Sequence, residues 1–317
     1  MSFTADVKKE LTLQKPGKKC CQLAQIAGFL RFAGSITLMG GIGVRVSTDN
    51  PAVARHFASL IKSYFGTKTS LNVSDSVLGR GHSYELFISA DMNAEAILRE
   101  CGILSVKEGS NYITDGLNWE LLRKRCCKKS MLSGIFMAAG SVSSPGAKGH
   151  HLEINCASRI MAEDVKKLLT GFGMKPGISE RRSRFIVYIK DAQQIGDLLG
   201  TAGATNEMLR YVDFTITRAM RNRANRISNC ENANLEKTVS AAQKQLTDIR
   251  KIEQSKGLDS LPPKLRETAV MRLNNPELSL SELCELFSPA LKKSGLNHRF
   301  EKLAEIAARL DDGGPEV

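Results

Sequence analysis

The sequence contains no apolar run that approaches the ~20 residues needed to cross a bilayer, so no membrane-spanning segment is expected. The first residues carry neither a basic leader nor an apolar stretch behind it, and no secretory signal is visible. Lys and Arg number 45 against 33 Asp and Glu in 317 residues, which gives a net charge of +12. We expect a cytoplasmic, nucleoid-associated protein whose partner is a polyanion rather than a small-molecule substrate.

Cys-x-x-Cys spacings are also lacking, because the eight cysteines include two adjacent pairs, at residues 20–21 and 126–127. Zinc sites need ligands spaced so that they wrap one ion, and we expect adjacent cysteines to point apart. The sequence therefore predicts buried free thiols in a reducing compartment, with no metal and no cofactor.

The two cysteine pairs belong to a longer stretch that occurs twice. Lys-Lys-Cys-Cys at residues 18–21 precedes Gly-Phe-Leu-Arg-Phe-Ala-Gly at 28–34, and Lys-Arg-Cys-Cys at 124–127 precedes Gly-Ile-Phe-Met-Ala-Ala-Gly at 134–140. The offset between the copies is 106 residues throughout, which indicates a duplicated unit. Glycine weakens an isolated helix, but it allows the backbones of two helices to approach closely. We therefore predict two helices that pack on each other about a pseudo-two-fold axis.

Periodicity predicts the order α-β-β-α-β-β-α in each copy, and hence an α+β fold. In the first copy we expect helices at 22–35, from 51 and at 91–101, a hairpin over 36–47, and strands at 69–73 and 84–88 around a turn at 79–81. In the second copy we expect helices at 129–141, 162–170 and 192–199, with strands at 151–155 and 184–189. A short helix at 5–14 precedes both.

Acidic residues are absent from both repeated helices and the turns after them, over residues 27–42 and 132–151. The doubled helix resembles the LAGLIDADG motif of homing endonucleases, and the element order is similar to that fold. In that family the acid before the last Gly of each motif holds the catalytic divalent ion. The matching positions are Ala33 and Ala139, and the earlier acidic position falls on Arg31 and Met137. Since Mg²⁺ needs oxygen ligands, the resemblance implies the fold without catalysis.

What the duplicated domain binds is left open between DNA, cradled on its strands, and a protein partner. One rival interpretation is an active nuclease that takes acids from elsewhere in the chain.

The composition changes over residues 204–256, which contain many arginines and few acidic residues. Such a run is either a solvated face or a phosphate-contacting arm. The candidate phosphate contacts are Arg218, Arg221, Arg223 and Arg226. Asparagines over 223–235 are expected to break the helix, after which Leu235, Val239, Ala242, Leu246 and Ile249 predict an amphipathic helix.

A helix-turn-helix arrangement is predicted near the C-terminus. Ser279 followed three residues later by Glu282 is a capping box before a short apolar stripe, and a longer helix begins near Lys292. The first half of such a second helix reaches base edges in the major groove. The predicted DNA-contacting residues are Ser279, Ser281, Lys292, Lys293, Ser294, Asn297, His298, Arg299 and Lys302. The alternative is a small helical bundle with a solvated basic face.

The two halves together resemble the WhiA family of bacterial regulators. Residues that carry the match include Asn-Cys-Glu-Asn-Ala-Asn at 229–234, Asn-Pro-Glu at 275–277 and Lys-Ser-Gly-Leu-Asn-His-Arg at 293–299. The family usually has Ser where this sequence has Lys292. The resemblance implies a non-enzymatic regulator that binds double-stranded DNA and acts in cell division, chromosome segregation and, in spore formers, sporulation. RNA polymerase with its sigma factor is the candidate partner in the adaptor alternative.

These patterns divide the chain into four segments. We expect a degenerate LAGLIDADG-like domain over residues 1–204, with repeats at about 17–110 and 123–204. A basic helical linker follows at 205–256, then the helix-turn-helix domain at 257–311 and a disordered tail at 312–317.

Overall fold

The computed structural model describes residues 2–38, 40–75, 82–182 and 184–310. It divides into two compact units, Met1–Arg218 and Ala219–Val317. The predicted turn at 79–81 and the predicted tail at 312–317 lie outside the described residues. Within the described part, no helix combines the length and the hydrophobicity that a membrane span requires.

The first unit contains two copies of the order predicted from the sequence. After α1 (Phe3–Leu13), the first copy consists of α2 (Lys19–Ala33), β1 (Gly34–Thr37), β2 (Gly43–Thr48), α3 (Pro51–Phe65), β3 (Ser70–Asp75), β4 (His82–Ile88) and α4 (Ala94–Glu100). The hairpin β5 (Leu104–Lys107) and β6 (Ser110–Ile113) separates the copies. The second copy consists of α5 (Arg125–Ala139), β7 (Gly140–Val142), β8 (Leu152–Cys156), α6 (Arg159–Thr170), β9 (Gly177–Arg181), β10 (Arg184–Ile189) and α7 (Ala192–Ala202).

The sheets of the two copies have the same antiparallel topology, β1-β2-β4-β3 in one and β7-β8-β10-β9 in the other. The predicted α-β-β-α-β-β-α order is therefore confirmed. The hairpin β5–β6 was not predicted, and its turn places Glu108 and Gly109 at positive φ (53° and 79°). The predicted helix over 91–101 begins later, at Ala94, because Asn93 adopts a left-handed φ of 61° that ends a short 3-10 turn.

Helices α2 and α5 pack directly on each other, as the glycine spacing predicted. A Cβ on Gly28 would lie 2.6 Å from the carbonyl oxygen of Met131, and a Cβ on Gly134 would overlap the carbonyl oxygen of Gln25. Gly134 follows Gly28, and Met131 follows Gln25, by the same 106 residues. The two close approaches are thus copies of one contact, which is what a pseudo-two-fold axis between the helices requires.

The predicted helix break over 223–235 is wrong, because α8 runs without interruption over Thr205–Lys256. Residues 205–256 contain no Gly and no Pro, and Asn costs a helix only a fraction of a kcal/mol each. The predicted apolar face holds only in its second half. Ala242 and Ile249 are buried, whereas Leu235 is 62% exposed and Val239 is 46% exposed.

The second unit closes its core around the end of α8. It adds α9 (Pro263–Asn274), α10 (Leu280–Glu285) and α11 (Lys293–Arg309). The core consists of apolar side chains from all four helices and from the segments between them: Ile249, Ile252, Leu261, Leu265, Ala269, Leu283, Cys284, Phe287, Leu296, Phe300, Leu303 and Ala307. Leu296, Phe300, Leu303 and Ala307 recur at helical spacing and form the buried face of α11.

Candidate nucleic-acid interface

Helix α10, which precedes the turn before α11, has a capped N-terminus. The backbone N–H of Ser279 donates to the carboxylate of Glu282 at 2.8 Å, and the backbone N–H of Glu282 donates to the Ser279 hydroxyl at 3.4 Å. This reciprocal pair is the predicted capping box. The side chain of Ser279, and then its backbone N–H, hold the pKa of the Glu282 carboxyl below its usual value. The capping box fixes the residue at which α10 starts.

A buried arginine organises the connection between α9 and α10. Arg272 is only 1% exposed, and its guanidinium donates to the carbonyl oxygens of Leu278 at 2.7 Å and Asn275 at 3.3 Å. It also lies 5.5 Å from the ring centroid of Phe300 on α11. Burial lowers the pKa of Arg272. The two carbonyl groups accept from its Nη1, whereas its buried Nε has no hydrogen-bond partner. One side chain thus joins the end of α9, the turn and α11.

The outer face of α11 is formed by residues opposite its buried stripe. Ser294, His298 and Lys302 recur every four residues and therefore share one line along the helix. All three are exposed. Glu301 lies on the same side, with its carboxylate 3.6 Å from Nδ1 of His298. The face is polar and carries both signs of charge.

Arg299 differs from the other predicted contacts, because it points to the opposite edge of α11. Its guanidinium donates to the carbonyl oxygen of Lys264 at 3.4 Å, the hydroxyl of Thr268 at 3.2 Å and the carboxylate of Glu267 at 3.3 Å. The side chain is 18% exposed. All its hydrogen-bond partners lie on α9, and its guanidinium lies 5.6 Å from the ring centroid of Phe287, so in this structure Arg299 fixes the position of α11.

Asn297 lies at the edge of α11 that faces the long helix. Together with Lys237, Thr238, Gln245 and Arg272 it lines a cavity of about 210 Å³ in the second unit. Lys237 is exposed beside the cavity. A duplex that meets Asn297 would therefore also meet the ammonium group of Lys237, which the sequence patterns did not single out.

The remaining predicted residues fall into two groups. Lys292 and Lys293 are exposed at the start of α11, and Ser279 and Ser281 are half-buried at the start of α10. Lys292 occupies the N-cap position of α11 and makes no side-chain cap, as expected where a hydroxyl is replaced by an amine. Lys292 and Lys293 lie at the N-terminus of α11, where backbone N–H groups favour phosphate oxygens. At the N-terminus of α10, the Glu282 carboxylate of the capping box already accepts from the Ser279 N–H.

The arginines of α8 are placed differently from one another. Arg218 donates to the carbonyl oxygen of Ala147 and is half-buried, so it anchors α8 within the first unit. Arg221, Arg223 and Arg226 are exposed. Three of the four candidate phosphate contacts are therefore accessible.

The outer faces of the two sheets carry paired charges. The Arg45 guanidinium lies 3.5 Å from the Glu85 carboxylate on the first sheet. On the second sheet, Glu153 accepts from His151 and lies 3.6 Å from Arg181. An acid beside each of these cations weakens the attraction for phosphate.

The positions that match catalytic acids in the LAGLIDADG motif lie at the ends of α2 and α5. Ala33 and Ala139 are the last residues of those helices. Arg31 donates to the carbonyl oxygens of Thr114 at 2.6 Å and Gly102 at 3.0 Å, and burial lowers its pKa. A cation held by backbone carbonyls therefore occupies the place of an earlier acid, which disfavours a divalent ion there.

Family models match almost the whole chain. The WhiA N-terminal LAGLIDADG-like domain matches residues 19–104, the WhiA LAGLIDADG-like domain matches 128–221, and the WhiA C-terminal HTH domain matches 224–307. The chain belongs to the WhiA family. The LAGLIDADG-like models cover the two copies of the first unit, and the HTH model covers α9, α10 and nearly all of α11.

Similar proteins match this chain over nearly its full length. The probable cell division protein WhiA of Natranaerobius thermophilus is 36% identical over 315 residues, which span 99% of this chain and 97% of that protein. The probable cell division protein WhiA of Alkaliphilus oremlandii is 38% identical over 317 residues, with 99% of each covered. A solved structure described as "full-length DUF199/WhiA from Thermatoga maritima" covers 100% of both chains at 24% identity and a TM-score of 0.60, which shows the shared fold.

Proposed function

We propose that this WhiA family member is a non-enzymatic, sequence-specific DNA-binding protein that regulates transcription. Its relatives are named cell division proteins, and we assign this chain to the same process. The resemblance extends the assignment to chromosome segregation and, in spore formers, to sporulation. The protein acts in the cytoplasm, at the nucleoid.

The observation that carries this proposal is the exposed first half of α11 behind a capped α10. Recognition helices present their N-terminal residues to the major groove. Asn297 is the base-reading candidate, because an amide can donate to and accept from adenine. Lys292, Lys293 and Lys302 supply phosphate contacts. We add Lys237 of α8 to that set, because it lines one cavity with Asn297.

Arg299 takes a positioning role in this proposal. Its Nη1 donates to all three partners on α9, so it holds α11 at the angle from which Asn297 reaches a base. Arg221, Arg223 and Arg226 add affinity without sequence preference, since phosphate contacts carry no base information.

The proposal is tested by titrating the full chain against a duplex enriched from a random pool and against a scrambled duplex. Asn297→Ala should cost about 1–3 kcal/mol on the selected duplex and little on the scrambled one. Lys302→Ala and Lys237→Ala should weaken both alike, and each should lower the salt slope by about one unit. Equal affinity for both duplexes in the unmodified protein would contradict sequence-specific recognition.

The absence of catalysis is part of the same proposal. Alanine at positions 33 and 139 supplies no oxygen ligand for Mg²⁺, and Arg31 places a positive charge where the family motif has an earlier acid. Incubation of the purified chain with Mg²⁺ and the selected duplex should leave both strands intact. Strand breaks that co-purify with the protein and disappear with chelator would overturn this part.

A second candidate function is an adaptor that grips another protein through its first unit, with RNA polymerase and its sigma factor as the partner. The paired charges on the two sheet faces favour it, because they suit a protein surface better than a phosphate backbone. Removal of residues 257–317 separates the two functions. An adaptor would keep its partner, whereas a regulator that acts through α11 would lose its DNA sites.

A further inference from the structure

The two adjacent cysteine pairs meet at one end of the α2–α5 pair. The Sγ atoms of Cys20, Cys21 and Cys127 lie within 4.8 Å of one another. Within residues 2–38, 40–75, 82–182 and 184–310, no other three His, Cys, Asp or Glu side chains converge in this way. The expectation that adjacent cysteines point apart is therefore wrong for Cys20 and Cys21. Their sulfur atoms converge because the first turn of α5 presents Cys127 to both.

Cys126 adds a fourth sulfur to this group. Cys126 lies beside Cys21 in the lining of one surface pocket, although its sulfur falls outside the 4.8 Å that groups the other three. The pairs occupy corresponding positions, because α2 begins at Lys19 and α5 begins at Arg125. The pseudo-two-fold axis that relates Gly28 to Gly134 thus brings all four thiols to the helix–helix junction.

The surroundings favour negative charge on these sulfurs. Both pairs lie in the first turn of a helix, where the helix dipole stabilises anions. Basic residues flank each pair: Lys18 and Lys19 before the first, and Lys124 and Arg125 before the second. Ser130 lines the same surface pocket as Cys21, where a hydroxyl can serve as an outer contact of the kind that orients ligands.

Burial acts in the opposite direction on the inner sulfurs. It raises the pKa of Cys127 to about 12 and also raises the pKa of Cys21. Cys20 is exposed, which gives an ion a route to the group.

We propose that Cys20, Cys21 and Cys127, with Cys126 as the fourth ligand, form a binding site for one zinc ion between the two repeats. Thiolate ligands select soft or borderline cations, and four sulfurs satisfy the tetrahedral preference of Zn²⁺. Four thiolates around Zn²⁺ carry a net charge of −2 by formal count, which the flanking lysines and arginine offset. The ion joins the start of α2 to the start of α5, and binding therefore stabilises the first unit.

The test is a titration of the reduced, chelator-treated full chain with Co²⁺, a spectroscopic substitute for Zn²⁺. One Co²⁺ per chain should bind, with thiolate charge-transfer and tetrahedral d–d absorption, and Zn²⁺ should displace it. Cys20→Ser removes an exposed ligand and should weaken binding by about tenfold or more, since even outer-shell changes cost 10–100-fold. Cys230→Ser, at an exposed cysteine on α8, is the matched control and should bind as the unmodified chain does.

Zn²⁺ should also raise the unfolding temperature of the unmodified chain and of Cys230→Ser, but much less that of Cys20→Ser. Circular dichroism of each variant checks that it is folded. Failure of the reduced chain to bind Co²⁺, or equal binding by Cys20→Ser, would overturn the site. So would a Cys21–Cys126 disulfide formed with a mild thiol oxidant by a chain that takes up no metal when reduced, which would make the group a redox pair.

Discussion

Substitution of Gly134 by Ala should destabilise the first unit, although alanine is the better helix former. The new Cβ would overlap the carbonyl oxygen of Gln25 and lie 3.1 Å from the backbone nitrogen of Phe29. Both are backbone atoms of α2, so no side-chain rotation relieves the overlap and the helices must separate. Overpacking of this kind costs typically 1–3 kcal/mol, and two backbone contacts place it near the upper end, at about 3 kcal/mol.

Helix propensity works against this cost. Ala is favoured over Gly by about 1 kcal/mol within a helix. The expected net loss in the free energy of unfolding is therefore about 2 kcal/mol. Gly200→Ala in α7 is the matched control, because its new Cβ would meet only the Met208 side chain at 3.6 Å, an ordinary contact. The free energy of unfolding of Gly200→Ala should rise by up to about 1 kcal/mol.

Trp119 provides the assay, since it is the one tryptophan of the sequence and belongs to the first unit. Its indole N–H donates to Asp164 at 3.0 Å, so unfolding changes its surroundings. Urea unfolding followed by Trp119 fluorescence should shift to lower midpoint in Gly134→Ala and to higher midpoint in Gly200→Ala. A Gly134→Ala protein as stable as the unmodified chain would refute close backbone packing of α2 on α5.

Two further predictions concern stability. Arg299→Ala should lower the free energy of unfolding of the second unit by about 1.5–3 kcal/mol, because charged hydrogen bonds to α9 are lost; thermal unfolding by circular dichroism measures it, and Lys302→Ala, at an exposed site, should leave stability unchanged. Burial lowers the pKa of His56, outweighing its hydrogen bond to the Thr12 carbonyl, so the unfolded chain binds more protons below about pH 6.5. Stability of the first unit should therefore fall as pH drops below that value, and His56→Gln should flatten the dependence of the Trp119 unfolding midpoint on pH. A pH dependence that persists in His56→Gln would remove this residue as its cause.

The duplicated fold could be predicted from the sequence because the patterns that indicate it are local and occur twice. The glycine pair at 28 and 134, the pattern of strands and the capping box at Ser279 each require one conformation, and the structure shows each of them. The continuous α8 was missed because asparagine content was given more weight than the absence of Gly and Pro over residues 205–256. Propensity differences of a few tenths of a kcal/mol per residue do not stop a helix.

The site was harder to predict than the fold, because its contacts join residues far apart in the chain. Arg299 and Lys302 look alike in sequence, yet one is held by α9 and the other is exposed. Lys237 and Asn297 are 60 residues apart but line one cavity. The thiol group was missed for the same reason, since two adjacent cysteines match no ligand spacing until α5 brings Cys127 to them.

The most direct test of the account is hydroxyl-radical footprinting of the full chain on an end-labelled duplex enriched from a random pool, with Mg²⁺ present. We expect a segment of the duplex to be protected by the unmodified chain but not by Asn297→Ala. Before radical treatment, both DNA strands should be full-length. A footprint unchanged by Asn297→Ala, or strands cut by the protein itself, would contradict the account.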